Sequence, residues 1–200
     1  MLRPLVTALI FLMAAPRATA DEPFILREQP PAYPGGTEQL YADLARQTAL
    51  GLMRSAEQKV RQGRREALPE GVVPSMGMME VDAVTLRKEL GGWLLPAEPT
   101  CGRVVLALTV SERGRVADVR VLQTPDARLG EAACAAVKRL QAWMPGYRLT
   151  VEGWRAAPFP YTVALRPERV QEALEGLLQE RAAQEKRRKK SEQDGTATTK

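Results

Sequence analysis

The chain has 200 residues, 44% of them apolar, with 29 Lys and Arg against 24 Asp and Glu and no histidine. That length and apolar share suit one globular domain with extensions. The missing histidine removes the commonest general base and the commonest metal ligand, and a formal net charge of +5 is too small to specify an anionic partner.

The start, "MLRPLVTALIFLMAAPRATA", has a basic Arg3, an apolar run from Leu5 to Ala15, and small residues at Ala18 and Ala20 before Asp21. This is the layout of a secretory signal peptide cut after Ala20. An uncleaved membrane anchor is the competing reading, but the apolar run is well short of the roughly 20 residues that span a bilayer. No Cys sits near the cleavage point, which argues against a lipoprotein. Residues 1–20 are therefore expected to be removed, placing the mature chain in the periplasm.

Residues 21–36, ending in "EQPPAYPGG", are rich in Pro and Gly and are expected to form an extended lead-in without a regular element. Thr37 is a suitable N-cap, and Leu40, Leu44, Leu52, Ala56 and Val60 then recur at helical spacing, predicting an amphipathic helix over 38–65. Gly51 weakens that helix by about 1 kcal/mol relative to Ala and marks a place for a bend. With the helix, residues 37–100 are expected to hold an irregular insertion punctuated by Pro69, Pro74, Pro96 and Pro99, in which only "DAVTLRKEL" from Asp82 has a helical pattern.

"CGRVVLALTVSERGRVADVRVL" then alternates as a strand pair: Val104, Leu106, Leu108 and Val110 share one face, and Val105, Ala107 and Thr109 the other. "SERG" supplies the turn, with Gly114 free to take a positive φ. The next segment, "TPDARLGEAACAAVKRLQAW", places Leu129, Ala132, Ala133, Val137 and Leu140 on one side of a helix, ended by Met144, Pro145 and Gly146. "PFPYTVALRP" is a last strand, and Pro158, Pro160 and Pro167 suit the edge of a sheet better than its centre. From 167 to 190, Val170, Ala173, Leu174, Leu177, Leu178 and Ala182 form an apolar stripe on a second amphipathic helix, which either docks on its own domain or pairs with another chain. Residues 191–200 are polar and expected to be disordered.

The fold class expected is α+β: a small three-stranded antiparallel sheet made by hairpin, helix and strand, helices on one face, and an amphipathic helix at each end. No nucleophile, metal cluster or phosphate loop stands out. Ser55, Ser75, Ser111 and Ser191 fall outside any strand-to-helix elbow, the carboxylates are scattered, and neither an enzyme nor a cofactor is expected. Trp93, Trp143 and Trp154 lie near element ends and are expected to cap the core. "KRRKK", Lys186 to Lys190, is the one dense basic run. In an exported chain nucleic acid is not its expected partner, and it reads as a solvated tail, with anionic lipid contact as the lesser alternative. Cys101 and Cys134 are an even pair, which in an exported chain favours a disulfide. The alternative is a free loop thiol at Cys101 and a small buried hydrophobe at Cys134.

The order and spacing of "GRVVLALTVSERGRVADVRVL", "LGEAACAAVKRLQAWMPG" and "FPYTVAL", from Gly102 to Arg166, resemble the C-terminal domain of the TonB family of energy transducers. "PAYPGGTEQLYADLARQ" resembles the lead-in and first helix of a branch of that family. The resemblance implies a domain over 101–166 whose last strand, Phe159, Tyr161, Thr162, Val163 and Leu165, offers its edge to an extended segment of an envelope protein such as an outer-membrane receptor. Because the resemblance ends at Arg166, the chain beyond it is expected to be removable without unfolding the sheet. TonB transducers carry a membrane-spanning anchor and a long Pro-rich spacer, whereas here a signal peptide leads almost directly into the domain. The expectation is thus a secreted peptide-docking module without motor coupling; the alternative is an envelope assembly component acting through its two long helices.

Overall fold

The computed structural model describes residues 27–75, 77–91 and 102–197. Its elements run β1 (Glu28–Gln29), α1 (Gly36–Glu66), a 3-10 turn at Gly77–Met79, α2 (Ala83–Glu89), β2 (Val104–Val110), β3 (Val116–Gln123), α3 (Ala127–Val137), β4 (Gly146–Thr150), β5 (Gly153–Ala157), β6 (Phe159–Leu165) and α4 (Pro167–Ala197). The expected sheet is present in the order β3-β2-β6, antiparallel throughout. Val104, Leu106, Leu108 and Val110 of its central strand are buried, as are Phe159, Val163 and Leu165 of β6. Their alternating neighbours, Val105, Ala107 and Thr109 with Thr162 and Ala164, are half-buried or exposed. One face therefore carries the helices and the other is open, as the alternation predicts.

A second antiparallel sheet, β1-β4-β5, was not expected. The lead-in read as irregular supplies β1, and the stretch after α3 read as a stop forms the β4–β5 hairpin around Val151 and Glu152. Neither strand shows a full alternation of apolar residues because most of this small sheet is exposed, so its sequence carries little burial signal. Trp154 lies on it and is 48% exposed, contrary to the expected role in capping the core, whereas Trp143 is buried. Trp93 lies outside the described residues.

α1 starts at Gly36, not after a Thr37 cap: Gly35 takes φ 82° at the N-cap position, and the Gly36 N–H donates to the Tyr33 carbonyl at 2.9 Å. Pro34, Gly35 and Gly36 thus form a turn that only glycine makes without strain. The helix runs unbroken through Gly51, which faces Ala132 of α3 where the two helices pack together. α2 is capped by the Asp82 carboxylate, which accepts from the Thr85 N–H at 2.7 Å. It fastens the insertion to the core through Val81, Leu86 and Leu90, all buried.

α4 docks on its own chain. Val170, Leu174, Leu177 and Leu178 are buried in the same core cluster as Leu40, Leu44 and Leu52 of α1 and the inner residues of the sheet. Polar contacts continue the contact outward: the Glu185 carboxylate accepts from the Ala83 N–H at 3.0 Å, and Arg181 donates to the Val81 carbonyl at 2.7 Å and to Glu57 at 3.0 Å. Lys186 to Lys190 are exposed farther along the helix, with Arg188 paired to Glu80. The helix continues to Ala197, beyond the expected end at 190.

The expectation that the chain beyond Arg166 is dispensable therefore gives way to the burial of α4. Truncation after Arg166 should abolish the cooperative melting transition followed by circular dichroism. Leu174→Ala should lower the urea unfolding free energy by about 2–5 kcal/mol, while Val84→Ala, at an exposed site on α2, should change it by less than about 0.5 kcal/mol.

Candidate functional site

β6 is the last strand of its sheet, and among the described residues no strand pairs with its outer edge. The direction of each backbone group follows from antiparallel alternation. The Ser111 N–H donates to the Arg115 carbonyl across the hairpin at 2.8 Å, so Ser111 faces β3 and its neighbour Val110 faces β6. Val110 pairs with Phe159, Leu108 with Tyr161, Leu106 with Val163 and Val104 with Leu165. These odd-numbered residues of β6 therefore turn their N–H and C=O groups inward to β2. The even-numbered ones turn theirs outward, giving free donors at Thr162 and Ala164 and free acceptors at Pro160, Thr162 and Ala164. Pro160 sits where no inward N–H is required, as an edge position permits.

Of the five residues expected to form the docking strand, Phe159, Val163 and Leu165 bury their side chains and Tyr161 is half-buried against the core. Thr162 alone among them exposes both side chain and outward backbone. Ala164 and Pro160 belong to the edge but are not among those five. The parity of Pro160 in the sequence was the signal that places them.

The strand is held from behind by an aromatic stack. Trp143 meets Tyr161 edge-to-face with ring centres 4.9 Å apart and 70° between planes, and Tyr33 at 5.3 Å and 76°. The Tyr33 hydroxyl donates to Asp43 at 2.7 Å. Burial, and then the neighbouring Asp43 carboxylate, push the Tyr33 phenol up to about 12. At the other end of the strand, Phe159 packs so closely on Gly146 that a Cβ there would lie 2.3 Å from its ring, and the Arg148 guanidinium lies 4.8 Å above it.

The other free edge, β3, is less suited to receive a strand. Its register with β2 shifts twice, leaving Ala117 and Leu122 unpaired, and it carries the exposed pair Asp118 and Arg120, 3.3 Å apart. Bulges and edge charges both discourage strand addition. β6 pairs with β2 in continuous register.

Cys134 lies half-buried on α3 with no disulfide partner among the described residues, and Cys101 lies outside them, as does Ala20. Among the described residues no cluster of three metal-ligating side chains occurs, and no helix is long and apolar enough to cross a membrane.

Residues 99–163 match the family described as the C-terminal region of Gram-negative bacterial TonB protein. The comparisons with curated proteins and with solved structures give no match.

The Tyr33 phenol generates a pH dependence with a definite sign. An unfolded tyrosine loses its proton near pH 10 and the folded one near 12, so the stability this group confers is complete below pH 10 and falls as pH rises between the two. Urea unfolding should lose about 1.4 kcal/mol per pH unit in that interval from this residue. Tyr33→Phe should flatten that limb while leaving the dependence below pH 9 unchanged.

Proposed function

We propose, from the match of residues 99–163 to the TonB C-terminal family, that this chain is a periplasmic docking module that takes an extended segment of an envelope protein, such as an outer-membrane receptor, onto the outer edge of β6. The observation that carries this reading is the edge itself: regular in register, unpaired among the described residues, and backed by a packed core. Backbone hydrogen bonds to Thr162 and Ala164 supply the attachment, and side chains flanking the edge supply selectivity. Such a device requires no nucleophile, metal or cofactor. The assembly alternative draws no support from the helices, whose main apolar stripes already face the shared core.

Two proline substitutions test the docking. Thr162→Pro removes an outward donor and should abolish capture of envelope partners while costing less than about 1 kcal/mol of stability. Val163→Pro removes an inward donor and a buried side chain and should cost about 3 kcal/mol or more. If Thr162→Pro folds and captures every partner that the parent captures from an envelope extract, the edge is not the docking surface.

The same reading places the mature chain outside the cytoplasm, starting at Asp21 after Ala20, with Cys101 bridged to Cys134. Intact mass of protein drawn from the periplasm, alkylated without reductant, should show residues 21–200 and no alkylated thiol. A retained Met1 would contradict export by cleavage, and two alkylated thiols would contradict the bridge.

A further inference from the structure

β5 and β6 are separated by Pro158 alone. The Leu149 N–H donates to the Arg27 carbonyl at 2.8 Å, so Leu149 and Tyr147 face β1, and Gly146, Arg148 and Thr150 face β5. Their partners Ala157, Arg155 and Gly153 then turn inward, leaving Trp154 and Ala156 turned outward. Residues before proline are restricted to extended backbone, which holds Ala157 and Phe159 in line across the joint. Phe159 pairs with the end of β2 and packs on Gly146 at the start of β4, so β2 and β4 lie end to end on the same side of one long strand. Its other side is a single edge from Trp154 to Ala164, about 33 Å long at ~3.3 Å per residue.

Every even-numbered residue on that edge faces outward. Two of the six, Pro158 and Pro160, have no N–H to offer. Donors are therefore present at Trp154 and Ala156 and at Thr162 and Ala164, with none between. A second copy of the chain laid antiparallel about a two-fold axis at Phe159 would set Trp154 opposite Ala164 and Ala156 opposite Thr162. Pro158 would then face Pro160 at both central positions, and neither central pair could form a hydrogen bond. A short strand seated at Thr162 and Ala164 avoids the gap.

We propose that Pro158 and Pro160 are specificity-determining residues of this edge, which disfavour pairing with a second copy of the chain along its full length and leave a docking length matched to a short extended segment. The proposal builds on the reading of β6 as a docking edge, yet its test needs no partner. Failure here is thus distinguishable from failure of Thr162→Pro to block capture.

The experiment is sedimentation velocity of the full chain over a wide concentration range. The parent should remain monomeric. Pro158→Thr with Pro160→Thr restores both central donors and should self-associate with a dimer dissociation constant lowered by ~10-fold or more. Adding Thr162→Pro to that double variant should return it to monomer. A double variant with the parent's circular dichroism and melting that sediments as the parent does would overturn the proposal, as would a parent that already dimerises through this edge, or association that persists with Thr162→Pro. If the double variant fails to fold, Pro158→Thr and Pro160→Thr singly restore one donor each and are read in the same way, with weaker association expected and none overturning the idea.

Discussion

The contact on which most of the structure depends is that of Gly114 with Trp143. The Trp143 N–H donates to the Gly114 carbonyl at 2.7 Å, and a Cβ on Gly114 would lie 1.9 Å from the Trp143 carbonyl oxygen. Gly114 also holds φ 72°, so its lack of a side chain answers a conformational and a steric demand together. Through this contact the tip of the β2–β3 hairpin fixes the chain leaving α3. The indole then lies between Tyr33 of the lead-in and Tyr161 of β6. Four segments distant in sequence thus meet at one residue, two of them on its ring and the hairpin on its backbone. The indole N–H itself is buried without a partner among the described residues, a cost of about 1–3 kcal/mol that the surrounding packing offsets.

The helices serve the sheet by covering a single face. α1 lies between α3 and α4, and Thr48, buried within it, satisfies its own hydroxyl by donating to the Leu44 carbonyl at 2.7 Å. That bond lets a polar residue occupy the core without an unpaired donor. The insertion before β2 contributes more than a loop would, because Val81 and Leu86 are fully buried where α2 meets α1 and α4. Covering one face so completely leaves the opposite face and both sheet edges as the surfaces available for recognition.

Much of this was legible in the sequence wherever burial imposed a period. The alternation in β2, the Gly114 turn, the Asp82 position before α2 and the apolar stripes of α1 and α4 each report a buried face or a backbone demand. The second sheet was not legible, since β4 and β5 are mostly exposed and their pairing rests on backbone hydrogen bonds that side chains do not advertise. Gly51 does not interrupt α1, because helix packing against Ala132 outweighs about 1 kcal/mol of intrinsic propensity. The edge strand is half legible: the sequence points to Phe159, Val163 and Leu165, whose side chains build the core, while the outward backbone groups of Thr162 and Ala164 follow only from the hairpin register.

That division of labour along β6 has an energetic consequence. A strand that binds a partner through its backbone must already be ordered, or the cost of fixing roughly 1–2 kcal/mol per residue falls on the complex. Here Val163 and Leu165 anchor the strand in the core, Tyr161 leans on Trp143, and Phe159 is wedged against Gly146, so alternate residues hold the backbone while those between present it. The β6 edge is ordered by folding. The ordering cost of association is then confined to the incoming segment, and a short segment bears less of it than a long one. For the docking proposed above, a short segment and a preorganised edge are therefore two parts of one arrangement: the core supplies the rigidity that lets a few backbone hydrogen bonds suffice.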